Sequence, residues 1–318
     1  MPSDQASPPE IPTTKSALKR QRKVERYVAQ RLERREARKR RRQAEADRRR
    51  QAWQQRQARL TPEEWALQKA DADARRRRER AWTEQARDLL AQCELSGASD
   101  GYCCLVDFGF SAQLTDKELR KSVLQLREIY VANKTAAAQA VRQPAIDRPA
   151  AVFAVGACGL DAHVRRHFDP VLGAGWSRWP SMHFLDTPLE SLDFCVPDRV
   201  VYLTADAPEP LESVRPGIVY VIGGMVDRNR LKGAALQRAH CLWGGVCARR
   251  LPLERSPHVA SRAAVLATCH VFQLLLRVAN GAAWAPAIDE VVPQRKQTRN
   301  GASTDTRSQL LSDAEGDA

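Results

Sequence analysis

Apolar positions are arranged in two ways along this chain, and the change falls near Gly97. Before it they are sparse. The stretch "KSALKRQRKVERYVAQRLERREARKRRRQAEADRRR" (15–50) is rich in Arg, Ala and Gln without Gly or Pro, which favours helix but offers no core-facing stripe. A second helix is expected from Pro62, because Thr61-Pro62-Glu63-Glu64 supplies a cap, a proline at the first helical position and an acid three residues beyond the cap. Its Trp65 and Trp82 suit packing on a neighbour or stacking on something flat, and packing is the preferred use.

After Gly97, short apolar runs alternate with helical patterns: "YCCLVDF" (102–108), "AVFAV" (151–155), "RVVYLTA" (199–205), "GIVYVIGG" (217–224) and "VCARRLPL" (246–253), with "SMHFLD" (181–186) as a weaker strand. Unbroken apolar strands separated by helices predict a parallel sheet covered on both faces. Three helices stand out. Thr115-Asp116-Lys117-Glu118 reads as a capping box ahead of Leu119, Val123, Leu126 and Tyr130. Leu231, Ala235, Ala239 and Leu242 mark a second, and "AAVLATCHVFQLLLRVANG" (263–281) a third, with Val265, Cys269, Phe272 and Leu276 on one face. The expected organisation is a disordered 1–14, a basic helical extension over 15–96, an α/β domain over 97–296 and a disordered tail over 297–318.

Charge sharpens the contrast. Residues 15–59 hold 19 Lys and Arg against 5 Asp and Glu, a surplus of 14, when the whole chain carries a net +13. The basic character therefore belongs to one segment, as in an arm that meets phosphate. Its "RKRRR" run, Arg38, Lys39, Arg40, Arg41 and Arg42, also reads as a nuclear or nucleolar address. The eight cysteines show no C-x-x-C spacing, which points to reduced, mostly buried thiols and to no zinc knuckle. No histidine pairs with an acid or a cysteine at a convincing spacing. No run of about 18 apolar residues and no secretory leader is present, so a soluble intracellular protein is expected, nuclear or cytoplasmic, with a mitochondrial site left open.

Candidate chemistry gathers at strand ends, where ligands settle in open α/β sheets. Gly223-Gly224 suits a loop that approaches a ligand closely or takes a positive φ, and an ordinary strand-to-helix turn is the alternative. The chain has neither G-x-G-x-x-G nor a P-loop. Asp227 sits between that glycine pair and Arg228, where a carboxylate can serve chemistry or cap a following helix. Arg228, Arg230 and Lys232 are candidates for phosphate contacts, or else a solvated charge run.

The order "LVDFGF…TDKELRKSVLQLREIYVANK…VYLTAD…GIVYVIGGMVDRNRLKG…RRLPLE…VLATCHVFQLLL…VVPQRK" closely resembles the tRNA (guanine-9, N1) methyltransferase family of the SPOUT class, over roughly residues 100–296. The resemblance implies a parallel sheet with a carboxy-terminal trefoil knot, bent S-adenosylmethionine held between knot loops, a tRNA substrate and a monomeric catalytic domain. It assigns Leu203, Thr204, Gly223, Gly224, Leu251 and the backbone of Thr268, Cys269, His270 and Val271 to the cofactor cradle. It makes Asp227 the catalytic aspartate, beside the cofactor, and puts Gln125 near the target base and Lys117 and Lys134 on the tRNA. Where the family carries Asn-Gln in "LT-x-NQV", this chain has Cys269-His270. The implied product is N1-methylguanosine at position 9. N1-methyladenosine there, or a cofactor-binding RNA scaffold in a tRNA-processing complex, are the alternatives.

Overall fold

A computed structural model of the chain describes residues 15–95, 101–144, 150–226, 230–259 and 265–292. The chain divides into two compact units, residues 1–77 and 78–318, so the boundary falls inside the second helix. The first unit holds α1 (Lys15–Gln57) and the start of α2 (Pro62–Ala91). No described side chain of α1 is buried, as expected of a helix without an apolar stripe. The predicted cap of α2 is present: Glu64 N–H donates to Thr61 Oγ1 (3.3 Å), and Thr61 N–H donates back to Glu64 Oε2 (2.9 Å). No described helix is long and apolar enough to cross a membrane.

The second unit is built on six parallel strands: β1 (Tyr102–Asp107), β2 (Phe153–Cys158), β3 (Met182–Phe184), β4 (Val200–Leu203), β5 (Val219–Gly223) and β6 (Cys247–Arg249). Their order is β3-β2-β1-β5-β4-β6, every neighbouring pair parallel. β1 and β2 are near-continuous apolar runs because both of their faces are covered. The last strand is only three residues long, since Arg250 to Leu253 leave the sheet for a bend and a single 3₁₀ turn.

Helices α3 (Asp116–Arg142), α6 (Ala234–Cys241), α7 (Thr268–Ala279) and α8 (Trp284–Val291) complete the layers, with the short α4 (Ala162–Arg165) and α5 (Phe168–Leu172) beside β3. The Thr115–Glu118 capping box forms as predicted. Leu119, Val123, Leu126 and Ile129 of α3 are fully buried, as is Phe272 of α7. The end of α2 joins this unit: Ala86 and Leu90 pack with Ala137 and Val152. Two expectations need correction. α7 begins at Thr268, so Val265 lies ahead of it in a loop, and α6 begins at Ala234, with Leu231 before it. Four cysteines are buried, but Cys241 and Cys247 are exposed.

Candidate active site

The carboxyl ends of β4, β5 and β6 lie side by side in the sheet, the end at which ligands settle in open α/β folds. A cavity of about 850 Å³, its open mouth included, lies there. Leu203, Thr204 and Asp206 line it from the loop after β4, Gly223 and Met225 from the end of β5, Arg250, Leu251 and Leu253 from beyond β6, and Thr268 and Val271 from the first turn of α7. Ile222, Leu231 and Val265 add apolar wall. An apolar cavity with a few converging polar groups is the usual form of a small-molecule site.

Local bonds fix these loops. Thr204 N–H donates to the Arg249 carbonyl (3.0 Å), and Asp206 N–H donates to Thr204 Oγ1 (3.3 Å), forming a tight polar turn at the end of β4. The Asp206 carboxylate accepts from Gly233 N–H (3.2 Å), tying this turn to the start of α6. Thr268 Oγ1 donates to the Gly223 carbonyl (3.3 Å), joining α7 to β5. Arg250 is buried, donates to Glu254 (2.6 Å) and keeps a buried Nε without a hydrogen-bond partner.

Of the residues assigned to the cradle, Leu203, Thr204, Gly223, Leu251, Thr268 and Val271 meet at this cavity. Gly224 does not line it. A Cβ there would lie 3.0 Å from the Asp107 carbonyl oxygen and 3.1 Å from the Phe108 ring, so packing against the end of β1 already requires a glycine here. Its N–H donates to that carbonyl (2.8 Å), and neither glycine takes a positive φ. Cys269 and His270 also stand outside the lining. Burial pushes the Cys269 thiol up from its ordinary range, with Glu128 adding to the effect, so it is not poised as a thiolate. Val271 and His270 both donate their N–H groups to the Ala267 carbonyl, closing the first turn of α7.

Asp227 and Arg228 lie outside the described residues. Gln125 is half-buried on α3, and its Oε1 accepts from Cys269 N–H (3.2 Å), which makes it a clamp on the start of α7. Arg230 donates to Glu118 (3.0 Å) and to the Gln113 carbonyl (2.8 Å), so its guanidinium is committed to the capped end of α3. Glu118 is held down to about 2, first by the Thr115 backbone N–H, then by Arg230 and the Thr115 hydroxyl. Lys117, Lys134 and Lys232 are exposed, and Lys134 Nζ lies 5.9 Å from the Tyr130 ring centroid. Arg38, Lys39, Arg40, Arg41 and Arg42 are exposed along α1, Arg40 within 3.6 Å of Glu36.

Two features escaped the sequence reading. Asp107, fully buried at the end of β1, accepts from Tyr202 Oη (2.9 Å), Gly109 N–H (2.9 Å) and the Arg238 guanidinium. Burial first, then the Asp107 charge, push the Tyr202 hydroxyl far up. Arg238 is raised although burial opposes its charge, because Asp107 outweighs that cost. His163 Nε2 also finds an acid, Asp116 Oδ1 at 3.0 Å, across 47 residues that no spacing rule would connect.

Known proteins match this chain over most of its length. A model of the family "tRNA (guanine(9)-N(1))-methyltransferase TRM10/TRM10A" matches residues 11–297. The Drosophila melanogaster tRNA (guanine(9)-N(1))-methyltransferase Trmt10A is 32% identical over 215 residues, 67% of this chain and 62% of that protein. A tRNA (guanine(9)-N1)-methyltransferase of Kluyveromyces lactis is 26% identical over 70% of each chain, and one of Eremothecium gossypii is 31% identical over 62% of this chain and 60% of its own length. The chain thus spans about three fifths of two of these three relatives. The crystal structure of full-length spTrm10 with SAH matches 63% of this chain and 100% of its own, with 22% identity and a TM-score of 0.51, a likeness of fold. With a family match over nearly its whole length and that family's fold around the cavity, the chain belongs to the tRNA (guanine(9)-N(1))-methyltransferase TRM10/TRM10A family.

Proposed function

We propose that this protein transfers a methyl group from S-adenosylmethionine to N1 of the guanine at position 9 of tRNA. The observation that carries the reading is the cavity at the ends of β4, β5 and β6, where six of the residues assigned to the cofactor cradle converge. The cavity suits that group chemically. Leu203, Ile222, Leu251 and Leu253 offer walls for a flat adenosine, while Thr204, Thr268, the Asp206 carboxylate and the unpartnered Arg250 Nε offer polar partners for its amino-acid end. When bound, the cofactor supplies a methyl group activated by its sulfonium charge.

The protein's part is to bind, orient and move a proton. Guanine N1 is a weak acid whose lone pair becomes available as its proton leaves, and a carboxylate within hydrogen-bond reach accepts or polarises that proton. We assign this role to Asp227. An ordinary aspartate, with a pKa of ~3.9, is a poor base near neutrality, so positioning carries much of the effect. Gln125 acts as a positioning residue through its bond to Cys269 N–H. That bond reaches the backbone of the loop and so does not depend on which side chains stand at Cys269 and His270. The basic helices supply the grip, because each tRNA phosphate neutralised releases counterions. The trefoil threading, the monomeric catalytic unit and the nuclear address in residues 38–42 belong to the same reading.

The test is methyl transfer from labelled S-adenosylmethionine to unmodified tRNAs bearing G9 or A9, with the product nucleotide mapped. Methylation of N1 of G9 is expected, and Asp227→Asn should lower the rate about 10²- to 10⁴-fold with tRNA affinity little changed. Methylation elsewhere, or a variant that loses tRNA binding instead, would overturn the assignment.

A further inference from the structure

α1 and α2 meet at a short turn, residues 58–61, and beside it an open cleft of about 920 Å³ is lined from both helices. Trp53 and Gln57 contribute from α1, and Trp65, Lys69, Arg75 and Arg76 from α2. Trp53 is 61% exposed and Trp65 44% exposed, and Lys69 Nζ lies 5.0 Å from the Trp65 ring centroid. The protein's other described tryptophans do not rank among its exposed large apolar side chains. Trp284 is buried at 4% exposure, Trp82 lies half-buried under Arg142, and Trp179 stacks on Tyr130.

Packing, the use expected for Trp65, does not account for this pair. A lone exposed indole would need no explanation, but two that line one cleft present flat apolar faces together, and the charged surroundings say what suits them. α1 carries most of the chain's surplus of positive charge, and Lys69, Arg75 and Arg76 line the cleft against one acid, Asp71. Charge complementarity therefore favours a polyanion over a protein surface. Paired RNA hides its base faces within the stack, whereas unpaired bases can be splayed onto aromatic side chains. We propose that the Trp53–Trp65 cleft is a nucleobase-stacking subsite for an unpaired base of a structured RNA. It rests on the reading of the chain as a tRNA-binding enzyme and adds recognition of tRNA shape to attraction for its phosphates. The two rings take base faces, and Lys69, Arg75 and Arg76 take the flanking phosphates.

The test uses the full chain with Trp53→Ala, Trp65→Ala and the double substitution, titrated into an unmodified tRNA transcript and into a fully paired RNA duplex. Each single change should weaken tRNA binding on the order of tenfold, as base–aromatic stacks do, and leave duplex binding unchanged. The slope of log affinity against log salt should stay the same, because no phosphate contact is removed. Trp→Phe should restore most of the affinity. Unchanged helix content and unchanged S-adenosylmethionine affinity without RNA serve as controls for folding. If the double variant binds tRNA like the parent, or loses tRNA and duplex alike, the subsite is wrong. Loss of binding to a protein partner with RNA affinity intact would also sink it. A parent enzyme that fails to methylate tRNA while the Trp effect persists would instead overturn the methyltransferase reading and spare the subsite.

Discussion

The same four-residue device, Thr-x-x-Glu, starts a helix in each unit of this protein. At Thr61–Glu64 it stands in solvent, and the Glu64 carboxyl is lowered by the Thr61 backbone N–H and then the Thr61 hydroxyl. At Thr115–Glu118 the box is also gripped by Arg230, 112 residues away, and Glu118 falls to about 2. The basic helices are held by local chemistry of this kind, together with exposed i,i+4 pairs such as Arg49–Glu45 (2.5 Å). The sheet unit adds partners distant in the chain. One unit concentrates exposed positive charge on helices, and the other frames a cavity with long-range bonds.

The sharpest way to separate the two is to remove one. Deleting residues 1–61 should lower tRNA affinity on the order of 10³-fold at low salt and flatten its salt dependence, measured by anisotropy across an ionic-strength series. The melting transition of the sheet unit should persist, because Ala86 and Leu90 of α2 stay in place. A cut as far as residue 87 would instead remove Ala86 and confound grip with stability. The converse change is Asp107→Asn, which breaks the buried pair with Arg238 and should cost the sheet unit about 3–5 kcal/mol in a denaturant titration. Helicity of the basic unit should not respond.

Within the sheet unit, the two neighbouring glycines separate packing from binding. Gly224→Ala drives a methyl against the Asp107 carbonyl and the Phe108 ring and should cost about 1–3 kcal/mol. At Gly223 the added methyl meets only ordinary contacts at 3.5 Å, so stability should fall much less while cofactor affinity changes, because this residue lines the cavity. Calorimetry with S-adenosylmethionine distinguishes the pair.

The smallest effect is a pH effect on the two caps. A carboxyl lowered on folding contributes stability above its unfolded pKa, and loses it as pH falls through its folded value. The Glu118 contribution should therefore be complete above about pH 4.5 and fade as pH falls from there toward about 2. Carboxyl shifts followed by NMR should show Glu118 titrating at lower pH than Glu64, and Arg230→Gln should move Glu118 up toward Glu64. Equal midpoints in the parent protein would remove the distinction between the caps.

Much of this molecule was legible without coordinates, and the reason is range. The β1, β2 and β5 runs announce themselves because a strand covered on both faces has no polar positions to break it. Both capping boxes, the polar α1 and the location of the positive charge are likewise properties of adjacent residues. The family resemblance named six residues that do meet at one cavity.

Tertiary structure alone decided the strand order, the start of α7 at Thr268, and the commitments of side chains far apart in sequence. Asp107 finds Arg238 across 131 residues, Gln125 finds Cys269 across 144, and Arg230 finds Glu118 across 112. Gly224 was legible as a glycine but not as the point where β5 passes under the Phe108 ring. Hydrophobic periodicity and caps follow from neighbours within a few residues, whereas a buried carboxylate chooses its partner from whatever the packed sheet brings within about 3 Å.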